Sequence, residues 1–501
     1  MFCLQKKIIE IWADSFHEGN WCCENISKCA VDMGASISLE YLNGFQPKYV
    51  IKTATYELSL IVYGSYKSWS PMPTPIKELI NWGKPDFIAY DSENDKILFA
   101  VEETAATPTG NQATQRCERQ YGSARFKIPY WYLISEFGVH RDGGVRRDSI
   151  WPTIAAIKLS IIKRTPCVVL HYSDINNPED YSIGTGLNLL FKSLHKLLVN
   201  YVQEIDILNG MKDYLVEQYK EMLVFLLSQW ENVIDFLPSE ALIKDSQNTS
   251  KYIAEFAVND PSADRSKLNG LLEWPTIANI PKAIRDKQTA KPLLKYDKLC
   301  SLFERDLGLG KAYSLSNNAG SGKPPTADKI SLWVAQQKAL FDRSPKLEPE
   351  AVFTMKTSDF PDTGSNENRR HITTAKNIVY LYDSWNELKT TIEEAFPRLK
   401  GKLVSPYGDI PVFVYVSNSL KPGRLFGDPF TGQISAFSIA FGKFDPAKRM
   451  VIAYFPHQVH TQAILNGVVS ENKGITIMTE LTDYIIFHAG VAVSLSNGRV
   501  I

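Results

Sequence analysis

A mixed sheet flanked by helices, an α/β protein, is the architecture this sequence predicts, and three features predict it. Two apolar runs, 85–90 and 96–101, are joined by Asp91-Ser92-Glu93-Asn94-Asp95 and read as a β-hairpin. Strand-like runs at 56–62, 130–134 and 166–172 alternate with helix-like segments at 111–124 and 154–162. The 501 residues exceed what one core organises, so two or three domains are expected.

Taken in order, residues 4–16 carry Ile8, Ile9, Ile11, Trp12 and Phe16 and read as an opening amphipathic helix. The strand at 56–62 ends at Tyr63-Gly64, and Glu57 on it reads as a surface residue, with a third acid as the alternative. Each strand of the hairpin then delivers a carboxylate, Asp86 at the start of the first and Glu102 near the end of the second. In an antiparallel pair those positions share one end, and alternation groups Leu98, Ala100, Glu102 and Thr104 on one face. Two converging carboxylates suit Mg²⁺, which keeps several waters and takes one or two acids plus substrate phosphate. In the helix at 111–124, Gln112, Arg116 and Arg119 recur at i, i+4 and i+7 and share a face.

Pro85-Asp86, a spacer and Val101-Glu102-Glu103-Thr104 together resemble the PD-(D/E)xK nuclease superfamily, which includes most type II restriction endonucleases. The likeness covers roughly residues 40–172 and implies a restriction-endonuclease-like sheet domain. It implies that Asp86 and Glu102 hold Mg²⁺, with Glu103 as the alternative to Glu102 because strand parity is open. The family's lysine falls on Thr104, a departure that would pass its role to Gln112 or Arg116. Arg119 beside that site, and Arg141, Arg146 and Arg147 in a loop with two glycines, are candidates for the DNA backbone.

Past residue 180 the texture changes. Leucines at helical spacing over 186–236 predict two long helices, which fit a bundle, a dimer interface or a spacer equally well. The densest basic stretch follows, with Lys282, Arg285, Lys287, Lys291, Lys295 and Lys298; Lys287 and Lys291 join the candidate DNA contacts. Gly320-Ser321-Gly322-Lys323-Pro324 lacks the Ser or Thr after Lys and a preceding strand, which excludes a phosphate loop. From 375 onward, strands at 377–382, 412–416, 434–441 and 451–455 and a helix at 384–396 predict a separate α+β unit. There Asp428-Pro429-Phe430-Thr431-Gly432 reads as a turn, with Lys421, Arg424 and Lys443 near it as base-reading candidates. His457 and His460 read as ordinary polar histidines, since zinc requires more ligands.

Lys+Arg and Asp+Glu are equal at 55, so bulk charge gives no electrostatic footprint for nucleic acid, and contacts must come from local patches. Seven cysteines without CxxC spacing exclude a zinc ribbon and a disulfide framework and fit a reducing cytoplasm. Without an apolar run near the ~18 residues of a membrane helix, and without a signal core at the N-terminus, a cytoplasmic protein is expected. The expected organisation is a nuclease domain at 1–180, a helical spacer or dimerisation region at 181–330, and a recognition domain at 331–501. The expected function is a Mg²⁺-dependent endonuclease on double-stranded DNA, a type II restriction enzyme acting as a homodimer. The alternatives are a defence or repair nuclease on single-stranded DNA or RNA, and an inactive nucleic-acid-binding protein of the same fold.

Overall fold

The computed structural model describes residues 4–64, 71–104, 114, 116–136, 150–173, 185–229, 237, 239–272, 312–313, 377–382, 384–417, 428–440, 442–444, 449–455, 480–487, 491–494 and 499–500. Among them, eight strands build one mixed sheet in the order β2-β3-β4-β1-β5-β6-β7-β8. They are β1 (Gln5–Ala13), β2 (Ser36–Leu42), β3 (Gln46–Lys52), β4 (Tyr56–Tyr63), β5 (Phe87–Asp91), β6 (Lys96–Thr104), β7 (Tyr130–Glu136) and β8 (Cys167–Ser173). β1 runs parallel to β4 and antiparallel to β5, β5 antiparallel to β6, and β6, β7 and β8 are mutually parallel. The hairpin forms as its sequence predicts: Asp91 Oδ1 accepts the Glu93 and Asn94 amides, an Asx turn that reverses the chain.

The opening segment is a strand and not a helix. β1 lies between β4 and β5, and Ile11, Trp12 and Ala13 are buried in succession, so both faces are covered at its end and the alternation seen at Ile8–Ile11 is lost there. The helix begins after it, as α1 (Phe16–Asp32). Ser15 and Glu18 close a capping box there, with the Glu18 amide donating to Ser15 Oγ and the Ser15 amide to Glu18 Oε2.

Helices cover both faces. α2 (Thr74–Ile80) leads into the hairpin, while α3 (Cys117–Arg125) and α4 (Trp151–Lys163) are the crossovers between the parallel strands. α3 starts at Cys117, inside the predicted helix, and Thr114 is helical as well; 111–113 and 115 lie outside the described residues. The opposite face takes α1, α5 (Thr185–Val202) and α6 (Lys212–Ser228), where Trp131 Nε1 donates to Gln218 and Trp21 meets Phe87 and Phe191 edge-on. The leucine-rich faces are thus spent inside the molecule: Leu190, Leu194, Leu197 and Leu198 are fully buried. α7 (Ser246–Ala257) packs beside α4 and α6.

A second sheet, seven strands among the described residues, has a parallel centre of β11 (Val412–Ser417), β12 (Met450–Phe455) and β13 (Tyr484–Phe487). β9 (Ala312–Tyr313), β10 (Asn377–Tyr382), β14 (Val491–Ser494) and β15 (Arg499–Val500) complete it, with α8 (Trp385–Ala395) beside it. Here the sequence reading requires two corrections. The strand expected at 434–441 and the turn expected at 428–432 belong to one helix, α9 (Asp428–Ala440). Ile434 to Ala440 are all buried, against α3, α4 and β11, and a helix without a polar face loses the period that distinguishes it from a strand. Lys443 is no base-reading side chain either: it is buried and donates to Asp483 Oδ2 at 2.7 Å. Among the described residues no helix is long and apolar enough to cross a membrane.

Two outcomes follow from this packing. Leu194→Ala should destabilise the fold by about 2–5 kcal/mol in urea titration, as for other buried leucines, with the oligomeric state in sedimentation unchanged. His195, buried on α5 with Nε2 3.4 Å from the Tyr56 hydroxyl, is held down to about 4 from 6.5, first by burial and then by Lys196. The unfolded chain takes up that proton below about 6.5 while the folded one does not, so stability falls as pH drops from about 6.5 through about 4. His195→Gln should flatten that acid limb in urea midpoints measured from pH 7 to pH 4.

Candidate functional site

The hairpin places the two predicted acids face to face. Phe87 pairs with Val101, and the Asp86 amide donates to the Val101 carbonyl at 3.0 Å. Extending that register by one residue sets Asp86 opposite Glu102. A bulge at Leu98 shifts the pairing between Ala89 and Tyr90 but leaves alternation from Phe99 to Thr104 intact. Glu102 shares its face with Tyr132, its partner on β7, beneath α3. Glu103 points to the other face, where the Tyr172 hydroxyl donates to its Oε1 at 2.7 Å. The parity left open by the sequence therefore sets Glu102, not Glu103, beside Asp86.

Glu102 has no exposed surface, and its charge is met by two guanidiniums. Arg116 Nη1 donates to Oε1 at 2.6 Å and Arg119 Nη1 donates to the same oxygen. Oε2 is buried and accepts no hydrogen bond among the described residues. Burial raises the Glu102 pKa above the usual carboxylate value, against the lowering effect of Arg119 and Arg116. Asp86 is pushed up further, first by desolvation and then by the Glu102 charge, although Arg119 and the Glu103 amide oppose this. That amide donates to Asp86 Oδ2 at 2.5 Å.

Local sequence explains how α3 comes this close. A Cβ on Gly83 would lie 2.6 Å from Arg119 Cγ and 2.9 Å from its backbone, so only glycine fits before Pro85-Asp86. Gly122 likewise admits Trp82, since its Cβ would fall 2.5 Å from Trp82 Cβ. Thr104, in the position where the resemblance expects lysine, is buried, with Oγ1 2.9 Å from the Tyr132 hydroxyl.

Glu18 is the group that sequence reading missed. Burial first, and then in smaller part its charge, raises the pKa values of Asp86, Glu102 and Glu103. The signal was present as the Ser15-Phe16-His17-Glu18 capping box, which marks a helix start where the sequence reading of 4–16 puts a helix end. Glu57 is a surface acid, paired with Lys6 at 3.0 Å and Lys52 at 3.8 Å. Gln112, Arg141, Arg146, Arg147, Lys287, Lys291, Lys421, Arg424, His457 and His460 lie outside the described residues.

Among the described residues no three His, Cys, Asp or Glu side chains stand together as a ready metal cage. The donor set still fits a divalent ion that uses two carboxylates and water. Glu102 Oε2 is an unused oxygen, and Asp86 opposite it is held above its ordinary range in part by Glu102, a repulsion that a cation relieves.

No protein-family model and no curated protein matches the chain. Among solved structures, the cytosolic domain of the T. maritima FeoB iron transporter in GDP form II matches at 12% identity, over 55% of this chain and 90% of that one, with a TM-score of 0.20. An overlap this loose carries no argument about fold or activity.

The tight loop generates a prediction. Gly83→Ala should cost about 1–3 kcal/mol in thermal or urea unfolding, the size of an overpacking penalty, because Arg119 has no room to yield. Ala at the neighbouring Lys84, whose ammonium meets Asp14 Oδ1 at the surface, should cost under about 1 kcal/mol.

Proposed function

We propose that the protein is a Mg²⁺-dependent endonuclease that hydrolyses phosphodiester bonds of double-stranded DNA, in the manner of a type II restriction enzyme acting as a dimer in the cytoplasm. One observation carries this: Asp86 opposes Glu102 across the hairpin, with Glu102 Oε2 buried and unpartnered among the described residues.

Asp86 and Glu102 Oε2 would hold the ion, which supplies Lewis-acid activation of the phosphate and a water of lowered pKa when bound. The chain's own groups do the remaining work. Arg119 stays on Glu102 Oε1 and opposes the rise in pKa that burial causes there. Arg116 has 31% of its side chain exposed and can turn from Glu102 toward phosphate oxygens, supplying the charge that the resemblance assigns to lysine. Thr104 and Tyr132 fix the floor beside them.

A second reading has its own support. Glu102 is fully buried and already charge-compensated by two arginines, which suits a nuclease-like domain that binds nucleic acid without cutting it. The discriminating measurement is cleavage of phage DNA with added Mg²⁺. Discrete fragments are expected from wild type, suppressed by EDTA and reduced ~100-fold or more in Asp86→Ala. Intact DNA with Mg²⁺ and with Mn²⁺, together with retained DNA binding, would establish the second reading instead.

A further inference from the structure

α3 has two working sides. Arg116 and Arg119 reach the sheet and hold Glu102, while Tyr121, two residues beyond Arg119 and so on the other side of the helix, faces the C-terminal unit. There the Tyr121 hydroxyl donates to Glu480 Oε2 at 2.6 Å and Arg125 Nε donates to Oε1 of the same carboxylate at 2.5 Å. Tyr121 is fully buried, stacked on Phe444 at 5.3 Å and edge-on to Trp82 at 5.8 Å. Lys163 covers the Phe444 ring at 4.6 Å, and Arg125 covers Trp82 at 4.5 Å. Glu480 stands just before β13, three residues from Asp483, which accepts from Lys443 and from the Val451 amide. The segment that carries Glu480 is thereby anchored to the second sheet through Asp483.

We infer that the C-terminal unit positions the acidic site: Glu480 fixes the back of α3 through Tyr121 and Arg125, and the helix in turn holds Arg116 and Arg119 on Glu102. Glu480 is a positioning residue and touches no reacting atom. The inference deepens the nuclease reading and rests on it only for its catalytic consequence, since the mechanical link stands on the contacts themselves. Nine residues of helix join the two carboxylates, and Gly122 seats that helix against Trp82, so α3 has little freedom to absorb a displacement at one side without transmitting it to the other.

The test compares full-length wild type, Glu480→Ala and Glu480→Gln by hydrogen–deuterium exchange and by kinetics of Mg²⁺-dependent DNA cleavage. Glu480→Ala should speed exchange in 117–125 and 101–104 roughly tenfold, the scale of a lost charge-assisted hydrogen bond, and leave β2, β3 and β4 unchanged. Glu480→Gln keeps an acceptor for Tyr121 and should recover most of the protection. In cleavage, kcat should fall by a similar factor in Glu480→Ala with KM unchanged, and in an Arg119→Lys background the same change should add less than about twofold. Unchanged exchange in 117–125, or faster exchange there without any at 101–104, would overturn the inference. So would an equal drop in the Arg119→Lys background. If wild type cuts nothing, the nuclease reading fails, and the exchange comparison still decides whether the C-terminal unit holds the site.

Discussion

Two carboxylates facing each other across adjacent strands repel, and burying them makes the repulsion stronger. Asp86 and Glu102 are in that position, with Glu102 wholly out of water. The surrounding structure is what permits it. Two guanidiniums converge on one oxygen of Glu102, and a backbone amide serves Asp86. Removing a partner from a buried pair of this kind costs about 3–5 kcal/mol, far more than the surface pairs elsewhere on the chain contribute. The glycine at 83, the short α3 and the Trp82–Gly122 contact all follow from the need to bring those arginines within reach.

The two arginines are not equivalent. Arg119 is nearly enclosed and is held by Glu118 as well as Glu102, so its pKa is raised by the acids around it despite desolvation. Arg116 stands at the N-cap of α3 with its side chain partly in water. An incoming anion reaches Arg116 more readily than Arg119, because 31% of the Arg116 side chain is exposed against 9% for Arg119. The site thus divides into a fixed half and an exchangeable half.

Much of this was legible in the chain. The hairpin was readable because its turn residues and short apolar runs agree, and from hairpin and register the facing of Asp86 and Glu102 follows. β1 was not, since its last residues, Ile11-Trp12-Ala13, are buried on both sides of the sheet and blur the strand period. α9 failed for the same reason in the opposite sense. α3 is the instructive case: the sequence showed Arg116 and Arg119 on one polar face, but not that Glu118, Gln120 and Ser123 around them are buried as well. Sequence reports polarity, and here polarity is consumed by a buried charge and a neighbouring unit, neither of which is local. The leucine-rich helices left several roles open because burial against one's own sheet and burial against a partner demand the same residues.

Why the acids gather where they do follows from strand direction. β1, β4, β6, β7 and β8 all run the same way, so their carboxyl ends lie along one rim, while β5 runs against them and starts there. That rim receives Glu102, Glu103 and Tyr172 from strand ends, Asp86 from the strand start, and Glu18 from the helix that follows β1. Open sheets with parallel strands leave a crevice at this edge because the crossover helices diverge from it. A one-residue slip of β5 against β6 would send Asp86 to the α1 face and leave Glu102 with arginines and no opposing acid. The pairing of the Asp86 amide with Val101, fixed by the Asx turn at the far end, is therefore what makes the rim a site and not merely an acidic edge.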